Sequence, residues 1–191
     1  MLSPGATPST PPTGFGVIFL IVAALLGASS LAGEVARGTI FTLLARPVSR
    51  ARILGVKLGV NAGLLFALAL AAALTNWLVS AILGHPQHLG GELVSAVNLW
   101  LGGAFILGVA TLASSMFNDT LRPLAISLVV AILLGLPAFN PDWAAWSLPH
   151  YWTSLPAFLG HEFPLKNLLV SALAAAIPIL LTLPVFNARR Y

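Results

Sequence analysis

The chain has 191 residues, 58% of them hydrophobic and 7% charged, with a mean hydropathy of +0.96, which makes the bilayer its main solvent and leaves no room for a separate catalytic or nucleotide-binding domain of roughly 100 residues or more. Its formal charge of +4 rests on few charged residues and reads as a positive-inside bias, not as a nucleic-acid surface. With no cysteine there is no disulfide framework, thiolate metal site or redox pair.

In chain order, residues 1–14 (MLSPGATPSTPPTG) are rich in Pro, Ser, Thr and Gly and have no basic residue, so they read as a flexible external tail. The first apolar run, 15–33, lacks the basic n-region of a secretory signal and is long enough to be kept as a span. Further runs near the roughly 20 residues needed to cross a hydrocarbon core occupy 58–83, 93–116, 123–139 and 168–186. The expected fold class is all-α: a polytopic membrane helix bundle of about five transmembrane helices forming one domain, 15–191.

Between the first two spans lies the segment 34–57, which holds five of the nine Lys and Arg residues. Ile40, Phe41, Leu43 and Leu44 make one face apolar at helical spacing, which suits an amphipathic helix on the membrane surface. Pro47 should break that helix at Arg46, and Ser49 can cap a new one that starts at Arg50 and runs into the second span. The product is a basic elbow. Placing it in the cytoplasm puts Arg37, Arg46, Arg50, Arg52, Lys57, Arg122, Arg189 and Arg190 inside and only Lys166 outside, with the N-terminus outside and the C-terminus inside.

The spans hold smaller signals. Gly55, Gly59 and Gly63 form a smooth stripe at the entry to the second span, suited to close helix packing within the chain or at a seam with another. Asn61, Asn76 and Asn98 are expected to hydrogen-bond neighbouring helices, because an unpaired amide is costly there; one or two could instead line a polar path. No span interior carries an ionisable residue, which argues against a proton-relay transporter. The external segment 140–166 carries Trp143, Trp146, Tyr151 and Trp152 among prolines, and is expected to form one or two short interfacial helices dipping back toward the bundle.

Catalytic chemistry is not indicated. His161-Glu162 lacks the second histidine of a zinc-protease helix, since Leu165 stands in its place, and neither a Gly-x-Ser-x-Gly elbow nor a phosphate-cradling Gly-x-x-x-x-Gly-Lys-Ser/Thr loop occurs. His85, His88, His150 and His161 all fall in external loops; the His85–His88 spacing could hold a metal if His150 or His161 joined it, but without Cys or a nearby carboxylate pair the signal is weak. The expected catalytic and metal-binding residues are therefore none.

Glu34, Gly38-Thr39, Leu43-Leu44, Pro47-Val48-Ser49-Arg50, Ile53-Leu54 and Lys57 resemble the signature of permease subunits in type-2 ATP-binding-cassette (ABC) exporters. The resemblance continues through the later spans, Pro149-His150-Tyr151 before the last of them, and the closing Phe186-Asn187-Ala188-Arg189-Arg190. It implies two permease protomers, homodimeric or heterodimeric, forming a path through the lipid bilayer. Separate cytoplasmic ATPase subunits, carrying ATP and Mg, would dock on the elbow. It also implies that Glu34, Arg37, Gly38, Thr39, Arg46, Pro47, Ser49, Arg50 and Lys57 couple the two. Family members usually begin inside the cell with an extra amphipathic helix and a first span, giving six spans; neither is expected here, and the Pro-rich tail sits where the family's first external loop would be. The rival expectation is a membrane scaffold that recruits a cytoplasmic partner without transport.

Overall fold

The computed structural model describes residues 13–36, 49–84, 88–140, 142–143, 148–152 and 163–188. These form helices α1 (Thr13–Ala36), α2 (Arg50–Ile82), α3 (Leu89–Ser114), α4 (Leu121–Gly135), α5 (Leu148–Trp152) and α6 (Leu165–Ala188), with a 3-10 turn at Leu136–Phe139. Among the described residues there is no strand, and the fold is an all-α membrane helix bundle.

Four helices, α1, α2, α3 and α6, are long and apolar enough to cross a membrane. The expected span at 123–139 is built differently, as the 15-residue α4 followed by the four-residue 3-10 turn. At about 1.5 and 2 Å per residue the two together rise about 30 Å, the thickness of a hydrocarbon core. Pro137 stands at the start of the 3-10 turn, where it has no N–H to continue the α ladder. At 33 residues α2 is about 50 Å long, so it tilts or projects beyond the apolar layer.

α3 is the central element. Gly27 of α1 faces it so closely that an added Cβ would lie 2.6 Å from both the Ala110 Cβ and the Leu107 carbonyl oxygen. Gly103 receives the Phe19 ring, and Gly108 faces Pro178 and Ile179 of α6. These glycines remove the side-chain layer and let helix backbones approach, as membrane helices do in the absence of a hydrophobic driving force between them. Phe19, Ala23, Ala24, Leu65, Ala69, Ile106 and Leu107 fill the core between α1, α2 and α3.

The contacts also fix direction. Phe19 meets Gly103 and Gly27 meets Ala110, so α1 and α3 run parallel, whereas Asn61 meets Leu26 and Lys57 meets Glu34, so α2 runs antiparallel to α1. Glu34, Arg50, Lys57, Ser114, Arg122 and Phe186 accordingly gather at one end of the bundle, and Lys166 stands at the other. α2 stops at Gly84, whose φ of +80° is a left-handed helix end that suits glycine.

Candidate functional site

The basic end is assembled from three helix termini. Ser49, at φ −63° and ψ 144°, precedes α2 and accepts the Arg52 N–H on its hydroxyl at 3.3 Å. This is the cap expected from the sequence, and it starts α2 at Arg50, two turns before the apolar run.

Arg50, the first residue of α2, reaches the end of α6. Its guanidinium donates to the carbonyl oxygens of Phe186 at 3.2 Å and Asn187 at 3.4 Å, and lies 5.7 Å from the Phe186 ring centre. Those carbonyls lie in the last turn of the helix, which carries its partial negative charge, so a cation is well placed there. The Phe186 ring is itself fully buried beside Leu31 and Leu54. Arg50 thus joins α2 to α6.

Lys57 joins α2 to α1. Its ammonium forms an ion pair with Glu34 and donates to the Ser30 carbonyl oxygen at 2.6 Å. Both side chains are about one-fifth exposed, so the pair is shielded more than a surface salt bridge. One turn further along α2, the Asn61 amide donates to the Leu26 carbonyl oxygen at 3.2 Å. Above the pair, Ser29, Ser30, Val56, Val60 and Asn61 line a cleft of about 390 Å³ that opens between α1 and α2.

Arg52 is exposed on the first turn of α2, and Arg122 is the remaining described basic residue at this end. It pairs with Asp119 at 3.3 Å and lies 5.8 Å from the Phe117 ring centre, on the exposed turn between α3 and α4.

Of the expected coupling residues, the structure therefore brings together Glu34, Ser49, Arg50 and Lys57 at the mouths of α1 and α2. Arg37, Gly38, Thr39, Arg46 and Pro47 lie outside the described residues, as does the amphipathic stretch around Ile40 to Leu44. So do His85 and His161.

Gly55, Gly59 and Gly63 are exposed, and a Cβ added at any of them would meet no atom within 4 Å. Among the described residues, the close packing that their spacing allows is not made. Beside them Val56, Val60, Leu64 and Leu68 extend the same exposed apolar face of α2.

The expectation for the span amides holds for two of three. Asn61 bonds α1 as described, and Asn76 of α2 donates to Glu92 of α3 at 2.6 Å. Asn98 is fully buried and neither atom of its amide has a hydrogen-bond partner. Glu92, placed by the sequence just outside a span, lies within the first turn of α3 and is 4% exposed. A carboxylate at the mouth of one span facing an amide near the end of the preceding one was the available signal.

α5 matches the expected short helix dipping back toward the bundle: Trp152 packs on Gly102 and Phe105 of α3, and the Ser171 hydroxyl of α6 donates to the Tyr151 carbonyl oxygen at 3.4 Å.

The family model described as ABC-2 family transporter protein matches residues 8–140, which run through α1, the segment 37–49, α2, α3 and α4. No curated protein and no solved structure matches the chain. The chain belongs to the ABC-2 transporter family, as a multi-pass, permease-type membrane component of an ABC transporter.

Proposed function

We propose that the chain is the membrane-spanning subunit of an ABC exporter, moving a substrate across the cell membrane with energy from ATP hydrolysed, with Mg, on a separate cytoplasmic ATPase. The basic end faces the cytoplasm, because basic clusters beside spans are retained there; the N-terminus is then outside and the C-terminus inside. Two protomers form the path, with the exposed stripe of Gly55, Gly59 and Gly63 suited to a seam between them.

The observation that carries this reading is the way the two ends of the elbow are fastened. Glu34 at its start is paired to Lys57, and Arg50 near its end is bonded to the last turn of α6. A partner that pushes on 37–48 therefore acts on α1, α2 and α6 together, which is what coupling of ATPase closure to the spans requires. In this role Glu34 and Lys57 hold the elbow in place, and the residues between them meet the ATPase.

Affinity purification of the detergent-solubilised chain from its native membrane, followed by mass spectrometry, tests the assignment. An ATPase with a phosphate-binding loop is expected to co-purify. Its absence from complexes otherwise kept intact would favour the scaffold reading.

A further inference from the structure

Asn98 is the exception among the span amides. It is fully buried, and its Nδ2 and Oδ1 both lack a partner. The Trp152 indole Nε1 is a second buried polar atom without a partner. These belong to one place. The Trp152 ring lies over Gly102, where an added Cβ would be 2.7 Å from Cδ2 and 3.1 Å from Cε2, the ring carbon that bears Nε1. Gly102 follows Asn98 by four residues, so the two share one face of α3, and Phe105, 6.1 Å from the Trp152 ring, continues that face. The absent side chain at Gly102 brings the indole down onto the turn that carries the amide.

In a span an orphaned amide and an orphaned indole N–H are both unfavourable, and native structures pair such groups. The Ser171 hydroxyl, fully buried on α6, already donates to the Tyr151 carbonyl oxygen. The free valences define the missing partner. They are N–H donors from Asn98 and Trp152 and one acceptor, the Asn98 carbonyl oxygen. A carbonyl or ether oxygen would leave the acceptor unpaired, and an ammonium would leave the donors unpaired. One oxygen that accepts two hydrogen bonds and donates one gives each of these three atoms a partner, and that is a hydroxyl.

We propose that Asn98 and Trp152, between α3, α5 and α6 in the half of the bundle away from the basic end, form a buried site for a single hydroxyl oxygen. It is supplied either by water or by an alcohol group of a lipid or transported molecule. The site does not depend on the ATPase assignment.

The test is nuclear Overhauser spectroscopy of the Trp152 indole proton in the full chain, in micelles or nanodiscs, with the signal assigned from its loss in Trp152→Phe. A cross-peak to water is expected if solvent fills the site. A cross-peak to carbon-bound protons beside an alcohol, lost on exhaustive delipidation, is expected if an organic hydroxyl does. The absence of both cross-peaks would overturn the proposal. Thermal unfolding gives an independent reading: Asn98→Leu and Trp152→Phe should each lower the melting temperature by about 2–4 °C, and the double variant by little more than either alone. A rise in melting temperature for Asn98→Leu would mean that the amide is simply unpaired, because an apolar residue of similar shape then relieves it, and would also overturn the proposal.

Discussion

The hydroxyl of Ser114, near the end of α3, bonds both partners of one rung of α1: it donates to the Ala28 carbonyl oxygen at 2.9 Å and accepts the Ala32 N–H at 2.7 Å. It also accepts the Leu31 N–H at 3.1 Å. A side chain inserted beside a helical ladder in this way is a recognised cause of bending. It fixes the turn of α1 that precedes Glu34.

Ser114→Ala should therefore loosen the end of α1. The loss of buried hydrogen bonds is worth about 1–2 kcal/mol, or about 2–4 °C in melting temperature per kcal/mol for a chain of this size. Thermal unfolding in detergent measures it, and an unchanged midpoint would show that α1 closes its own ladder without the serine.

The Glu34–Lys57 pair should behave as a unit. Removing one member, as in Glu34→Gln or Lys57→Met, leaves a partly shielded charge and is expected to cost roughly 1–3 kcal/mol, between the values for exposed and buried pairs. The double variant should cost less than the sum of the singles. Additive losses in a double-mutant cycle would mean that the two groups do not interact.

Glycines in different settings should respond oppositely. Gly27→Ala forces a methyl against Ala110 and the Leu107 carbonyl, and overpacking of this kind costs about 1–3 kcal/mol. Gly59→Ala meets nothing and should leave the protomer as stable or up to about 1 kcal/mol more stable, from helix propensity. Gly59→Leu should weaken association between protomers, read as a shift toward monomer on size-exclusion chromatography with light scattering. An unchanged dimer would place the seam elsewhere.

The absence of native cysteine allows the orientation to be read with single cysteines. Leu83→Cys at the far end of α2 and Met116→Cys after α3 replace side chains that are 68% and 58% exposed, at opposite ends of the bundle. A membrane-impermeant maleimide should label the first from outside intact cells and the second only in inverted vesicles. The reverse pattern would invert the assigned topology.

Much of the fold was legible because the bilayer imposes a length on apolar runs. The helices, the cap at Ser49 and the inward return of Trp152 follow from local composition and spacing. The fourth span was only partly legible, because Pro137 divides it into α-helix and 3-10 turn. The site was less legible. Glu34 and Lys57 stand 23 residues apart, and Ser114 is more than 80 residues from the α1 groups that it bonds, so no periodicity connects them. The same holds for Arg50, whose basic character suggested a contact with a partner but whose guanidinium is bonded to the carbonyls of Phe186 and Asn187. Asn98 looked like Asn61 and Asn76 in sequence; only the packing of Trp152 on Gly102 separates it from them.

The most direct measurement is ATP hydrolysis by the co-purified ATPase, reconstituted into vesicles with wild-type chain, with Arg50→Glu, or with residues 46–50 deleted. Wild type should raise the hydrolysis rate. Both variants should insert normally yet fail to raise it, Arg50→Glu because a carboxylate then opposes the negative end of α6. Full stimulation by the deletion variant would contradict coupling through 34–57.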